Sequence, residues 1–115
     1  MRVLLLACVG CWAAVAAQAL EAGAAKIDMT PPLETPLNGY MDRMGRGAMS
    51  VHDPLWVRCV YLSEGDVSLF LVNADLCIIN RELRDRVIAL APPHVPKENI
   101  ILTATHTHNG HGGMV

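Results

Sequence analysis

The chain has 115 residues, a formal net charge of −2 and a hydrophobic content of 52%. This length is that of one small domain at most. The weakly acidic balance excludes the strongly basic surface that nucleic acids or anionic membranes attract, so no nucleic-acid partner is expected.

The first 19 residues have the pattern of a secretory signal peptide. A short positive start, Met1-Arg2, precedes an apolar run over 3–15, and Ala17-Gln18-Ala19 fits the small-x-small cleavage pattern. A transmembrane helix is the alternative, but the uncharged stretch only marginally reaches the ~18–20 residues that a span needs. We therefore expect export, to the periplasm or outside the cell, with cleavage near Ala19.

Export would change the composition of the working chain. Residues 20–115 keep eight basic and eleven acidic residues once Arg2 is removed, a net charge of −3. Two of the four cysteines also leave, so Cys59 and Cys77 remain. An exported pair invites a disulfide, but the strand pattern described below argues against one.

The segment before residue 55 predicts one short strand and one long loop. The strand covers about 24–28, and the prolines that follow cannot continue a sheet ladder. Residues 38–54 show neither strand nor helix periodicity, and loops of this length are usually functional or disordered. Three methionines lie within it, at positions 41, 44 and 49. They either form an adaptable apolar wall for a lipid-like substrate or pack locally onto the core.

Residues 55–62 and 67–75 predict a β-hairpin joined by the turn-type tetrapeptide at 63–66. With Glu64-Gly65 as a two-residue turn, Cys59 faces Phe70. Cys77 then lies near the far end of the other strand and on the opposite face. A disulfide would need a bulge or a register shift, so we predict two free, mostly buried thiols.

A helix and a further strand follow the hairpin. Asn80 is a suitable N-cap, Glu82 suits the positive helix start, and Pro92-Pro93 ends the helix. The predicted apolar stripe consists of Leu83, Val87, Leu90 and Ala91. A strand over 99–105 completes a βαβ unit, which is right-handed in nearly all proteins. The fold class is therefore α/β, with a mixed sheet formed by a β-hairpin followed by a right-handed βαβ unit.

Three of the five histidines, His106, His108 and His111, follow this last strand directly. Because side chains in a strand alternate with a period of two, His106 and His108 should lie on one face. Imidazole is the commonest nitrogen ligand of zinc. The pattern therefore favours a metal site over a polar loop whose histidines sit in solvent.

The predicted topology brings further polar residues to the same place. Both strands of a βαβ unit end at one edge of the sheet, so Asp75 should lie near His106 and His108. The antiparallel hairpin brings His52 and Asp53 to that edge as well. Asp75 either orients a metal-bound histidine by a hydrogen bond from outside the ligand shell, or it only caps the turn into the helix.

The histidine pattern resembles two hydrolase families. One is the metallo-β-lactamase family, whose signature His-x-His-x-Asp-His is matched by His106, His108 and His111. Gly110 stands where that signature has an aspartate, which would hold a second metal, so the match is incomplete.

The neutral ceramidase family is the better match, and the resemblance covers most of the exported part. The motifs that carry it are Ala22-Gly23-Ala24-Ala25-Lys26-Ile27-Asp28-Met29-Thr30-Pro31-Pro32, Asn38-Gly39-Tyr40, Val51-His52-Asp53-Pro54-Leu55-Trp56-Val57-Arg58, Val72-Asn73-Ala74-Asp75-Leu76 and Ala104-Thr105-His106-Thr107-His108. The family usually continues with Ser-Gly-Pro-Gly-Gly. Here Asn109 and His111 depart from that continuation.

The resemblance implies a secreted or periplasmic Zn²⁺-dependent amidase that cleaves the N-acyl bond of ceramide or a related lipid amide. The substrate would come from a membrane surface or a micelle. His106 matches a zinc ligand, and His108 matches an active-site histidine beside the metal. No role follows for His111.

The same resemblance places the family's other ligands, a histidine, a glutamate and a tyrosine, beyond Val115. We therefore expect 20–115 to be the N-terminal portion of a larger catalytic domain, truncated at its C-terminus and inactive alone. A non-catalytic exported binding module, in which the three histidines bind nothing, remains the alternative from another functional class.

Overall fold

The computed structural model describes residues 19–111. The predicted signal peptide, apart from Ala19, lies outside this part of the chain. The strands are β1 (Glu21–Asp28), β2 (Trp56–Glu64), β3 (Val67–Ala74) and β4 (Ile100–Ala104). One α-helix, α1 (Arg81–Leu90), lies between β3 and β4, and short 3₁₀ turns occur at Met41–Arg43 and Lys97–Asn99.

The four strands form one mixed sheet in the order β1-β2-β3-β4. β2 is antiparallel to both β1 and β3, whereas β3 and β4 are parallel neighbours joined through α1. The predicted hairpin followed by a βαβ unit is thereby confirmed. Ala74 is opposite Ala104 in the parallel ladder, so β3 and β4 end together at one edge of the sheet.

The hairpin register differs from the predicted one by two residues. Glu64 pairs with Val67, so the turn is Gly65-Asp66 and Cys59 lies opposite Val72 instead of Phe70. The first position of such a turn requires a positive φ, which glycine adopts without strain, and Gly65 has φ 57°. A shift of two leaves every side chain on its predicted face.

Both cysteines of the described chain are free, as predicted. Cys59 and Cys77 are each of intermediate burial, with most of their surface covered, which agrees with the prediction of mostly buried thiols.

Helix α1 begins as predicted, and the predicted stripe residues Leu83, Val87 and Ala91 are half-buried, but Ile88 takes the buried position expected for Leu90. The Asn80 side chain accepts a hydrogen bond from the Leu83 N–H at 2.8 Å. Ile88 is the buried residue of the helix, whereas Leu90 is 87% exposed. Residues two positions apart in a helix are separated by about 200° around its axis, so burial of Ile88 turns Leu90 towards solvent.

The core lies between α1 and one face of the sheet. It is formed by Ile88, Val95 and Ile100, with Tyr61, Phe70, Ala91 and Leu102 packed against them. On the other face, Val60 and Ile101 remain 38% and 45% exposed. No helix among the described residues is long and apolar enough to cross a membrane.

The long loop before β2 is held against the segment that follows β4. Pro36 forms a bridge with Gly47, and Leu37 forms one with His111. The Asn38 N–H also donates to the Gly110 carbonyl at 3.0 Å. The three methionines of the loop are 82–96% exposed, so they do not pack onto the core.

Candidate metal centre

His106 and His108 come together just beyond the end of β4. Their Nε2 atoms are 3.3 Å apart, and their ring centroids are separated by 4.9 Å. The cause differs from the predicted strand alternation, because β4 ends at Ala104. His106 instead has a left-handed backbone with φ 62°. Such conformations are strained in non-glycine residues and cluster at functional sites.

The hydrogen bonding of His106 defines which nitrogen is available to a ligand. Its Nδ1 lies 2.7 Å from the carbonyl oxygen of Cys77. Because a carbonyl oxygen can only accept, Nδ1 must carry the hydrogen and donate it. The lone pair of a neutral His106 is therefore on Nε2, the atom that faces His108. A backbone carbonyl in this position commonly orients a metal-binding histidine.

The spacing of the two imidazoles fits zinc. Tetrahedral zinc with nitrogen ligands at ~2.0–2.1 Å places neighbouring nitrogens about 3.3–3.4 Å apart. The two Nε2 atoms have this spacing.

Cys77 extends the pair to a cluster. One donor atom from each of Cys77, His106 and His108 lies within 4.8 Å of the other two. Cys77 follows Asp75 by two residues at the edge where β3 ends, so the predicted topology also indicates its position near the histidines.

The ring of His108 is enclosed by the motif Asn38-Gly39-Tyr40. The Tyr40 and His108 rings meet edge to face, with centroids 5.1 Å apart. Gly39 has φ 106°, and a Cβ added there would lie 2.7 Å from Nδ1 of His108 and closer still to its Cγ. Only glycine permits both this backbone conformation and this close approach.

Arg43 connects the loop before β2 to the segment that follows β4, which carries His106 and His108. Its Nη1 donates to the carbonyl oxygens of His108 and Asn38, and its Nη2 donates to Oδ1 of Asn109 at 2.6 Å. The guanidinium also lies 4.6 Å from the centroid of the Tyr40 ring. Arg43 thereby positions the backbone that carries His108. Sequence reasoning missed it, since nothing local distinguishes it from other loop arginines.

Asp75 lies at the predicted edge, and its hydrogen bonds run to β2. It accepts from the Trp56 N–H at 2.9 Å and from the Arg58 guanidinium at 3.0 Å. Partial burial alone would raise the pKa of Asp75, but the bonds from Arg58 and Trp56 outweigh it and hold that pKa below its usual value. Within residues 19–111, Asp75 makes no hydrogen bond to an imidazole. The cap of α1 is supplied by Asn80.

A separate open cleft of about 680 Å³ lies beside the histidine segment. Its lining includes His52, Asp53 and Asp75, which confirms that the hairpin brings them to one edge, together with Asn109 and His111. Nδ1 of His52 lies 2.7 Å from a carboxylate oxygen of Asp53, and both side chains are almost fully exposed. The lining of this cleft does not include the His106–His108 pair.

The metallo-β-lactamase pattern is not assembled in the described chain. Gly110 is buried, and an added Cβ would lie 3.1 Å from the Asp75 carbonyl oxygen and from Cγ2 of Thr107. An aspartate would therefore require these neighbours to move. His111 pairs with Leu37 and lies outside the Cys77–His106–His108 cluster.

No protein-family model matches the chain. Among solved structures, neutral ceramidase from Pseudomonas aeruginosa is similar, with a TM-score of 0.72 and 31% sequence identity over 84% of this chain. A ceramidase complexed with C2 is similar over the same share, with a TM-score of 0.69 and 30% identity. The chain spans 16% of the length of each. The resemblance to the neutral ceramidase family is thereby confirmed, and the chain has the fold of one part of a larger ceramidase domain.

Proposed function

We propose that the chain supplies the first histidines of the active site of a zinc-dependent amidase that cleaves ceramide or a related lipid amide. The observation that carries this proposal is the His106–His108 pair, with Nε2 atoms 3.3 Å apart and the Nδ1 of His106 bonded to a carbonyl. The similarity to neutral ceramidase supports the choice of reaction.

The residues have separate roles in this proposal. Zinc, when bound, supplies an activated water and polarises the amide carbonyl. His106 holds the metal through Nε2, and the Cys77 carbonyl keeps its ring in the required orientation and tautomer. His108 directs its Nε2 to the same place. There it hydrogen-bonds the oxygen that gains charge or transfers a proton to the leaving amine.

The loop that encloses His108 offers the apolar contact that a lipid-like substrate needs. Met41 begins the 3₁₀ turn that contains Arg43 and Met44 follows it, and their side chains are 96% and 82% exposed. Methionine adapts to irregular apolar surfaces. We assign these side chains to the acyl or sphingoid chain of a substrate taken from a membrane or a micelle.

The remaining ligands belong to this proposal as well. The chain covers 16% of the ceramidases that it matches, and a catalytic zinc requires at least three protein ligands, of which His106 is one. We assign the missing histidine, glutamate and tyrosine to the protein beyond Val115, and we assign export to the signal-peptide pattern of residues 1–19.

The test is ceramide hydrolysis by the full-length protein that carries this chain. We expect fatty-acid release that a chelator abolishes and added zinc restores. The His108→Ala variant should retain zinc and lose activity by about 10²–10⁴-fold, the usual contribution of a general acid–base group.

His94→Ala is the matched control, because His94 is exposed and contacts Tyr61 away from the site. It should remain fully active. No hydrolysis by the zinc-loaded protein, or equal activity in the His108→Ala variant, would contradict the proposal and favour a non-catalytic binding module.

A further inference from the structure

Asp75 joins the end of β3 to the start of β2. Its carboxylate accepts hydrogen bonds from the Trp56 N–H at 2.9 Å and from Nη1 of Arg58 at 3.0 and 3.1 Å. Its own N–H donates to the Trp56 carbonyl oxygen at 2.9 Å. Only 15% of the Asp75 side chain is exposed. These backbone and charge-assisted hydrogen bonds therefore fix Asp75 firmly in place.

From Asp75 the chain leads directly to the group that orients His106. Leu76 comes next and is buried, with 5% of its surface exposed. Cys77 follows, and its carbonyl oxygen accepts the Nδ1 hydrogen of His106 at 2.7 Å. Because Asp75 and Leu76 hold the start of this short segment, the position of the Cys77 carbonyl depends on them.

A second connection runs through the residue that precedes His106. The Thr105 N–H donates to the carbonyl oxygen of Ala74 at 3.0 Å, and the Thr105 side chain is a further hydrogen-bond partner of the Asp75 carboxylate. His106 itself has a left-handed backbone with φ 62°. Such a conformation persists only where the surrounding contacts determine it more than once. The bonds of Thr105 supply part of that constraint.

We propose that Asp75 is a positioning residue for His106, acting through the residue that contacts its ring and the residue that precedes it in the chain. With the carboxylate present, the His106 ring keeps its Nδ1 hydrogen on the Cys77 carbonyl and its Nε2 lone pair free for the metal. This inference rests on the metal site of the proposed function, but it holds whether or not the site hydrolyses ceramide.

The zinc affinity of the full-length protein, measured by competition with a chromogenic chelator, tests the proposal. In Asp75→Ala the zinc dissociation constant should rise about 10–100-fold, the range for groups that orient a metal ligand. Asp75→Asn should be intermediate, because its amide oxygen still accepts from Trp56 but pairs less strongly with Arg58. Asp53→Ala is the matched control. Asp53 lines the same cleft with its side chain 85% exposed, and its loss should leave the affinity unchanged.

Two further measurements separate positioning from a general loss of stability. Asn80→Ala should destabilise the fold through the N-cap of α1 and still bind zinc normally. The hydrogen-bonded Nδ1 proton of His106, identified by its absence in His106→Ala, should be visible in the NMR spectrum of the zinc-free protein and of Asn80→Ala. Asp75→Ala should lose this signal.

Three results would overturn the proposal: an unchanged zinc dissociation constant in Asp75→Ala, an equal rise in Asn80→Ala, or an Nδ1 proton signal that persists in Asp75→Ala. A full-length protein that binds no zinc would refute the proposed function, and the Nδ1 proton signal would then decide the positioning role alone. Zinc binding that depends on Asp75, without ceramide hydrolysis, would contradict only the amidase assignment.

Discussion

Replacing Gly39 by alanine tests how the loop before β2 determines the position of His108. Gly39 has φ 106°, and the new Cβ would lie 2.7 Å from Nδ1 of His108. Carbon and nitrogen atoms in ordinary contact are about 3.5–4.0 Å apart. The His108 side chain must therefore move by about 1 Å, or the loop must separate from it.

The consequence for catalysis follows from the position of His108 beside His106. Their Nε2 atoms are 3.3 Å apart, and a catalytic group misplaced by about 1 Å loses about 10²-fold in rate. We expect ceramide hydrolysis by the full-length protein to fall about 10²-fold, or about 2.7 kcal/mol, while the zinc content stays unchanged.

Gly45 provides the matched control in the same loop. It also has a positive φ, 75°, but an added Cβ would meet no atom within 4 Å. Gly45→Ala should share the backbone penalty of about 1–2 kcal/mol and hydrolyse ceramide normally. Fatty-acid release measures both variants, with far-ultraviolet circular dichroism as the check on folding. Equal activity in the two variants would refute the reasoning.

Three further substitutions test the supporting contacts. Arg43→Ala should lower ceramide hydrolysis about tenfold in the same assay, with Arg43→Lys intermediate, because lysine can replace one of the several hydrogen bonds to the backbone and side chain at His108 and Asn109; unchanged activity in Arg43→Ala would contradict this role. Asp75 has a lowered pKa, so its native form holds fewer protons than the unfolded form, and its stabilising effect is present above about pH 4 and lost as pH falls through the lowered pKa. Urea unfolding at several pH values should therefore show an acid-dependent loss that Asp75→Asn reduces, and equal pH dependence in both proteins would count against it. Asn80→Ala should lower the free energy of unfolding by about 1 kcal/mol through loss of the N-cap, and an unchanged urea midpoint would show that the cap contributes nothing.

The sheet could be predicted from local patterns, but the hairpin register could not. The strands at 55–62 and 67–75 and the Asn80 cap are visible in a few adjacent residues, and the βαβ connection then determines which strand ends share an edge. The register depended on choosing between two overlapping turns, Glu64-Gly65 and Gly65-Asp66. Both contain the glycine, and only its position within the turn decides between them.

The site was predictable in its residues and not in its geometry. The histidine triplet is a local signal, and the pairing of His106 with His108 follows from it. The conformation that joins them is a left-handed residue beyond the strand, which period-two reasoning does not include. Arg43 contacts His108, which is 65 residues away in sequence, and a short sequence motif cannot predict a contact between residues so far apart.

Zinc content of the full-length protein tests the central claim, that His106 holds a metal beside His108, most directly. Elemental analysis should find about one zinc per chain in the unmodified protein and in His94→Ala, and essentially none in His106→Ala. A protein that folds and contains no zinc, or a His106→Ala variant that retains it in full, would contradict the account.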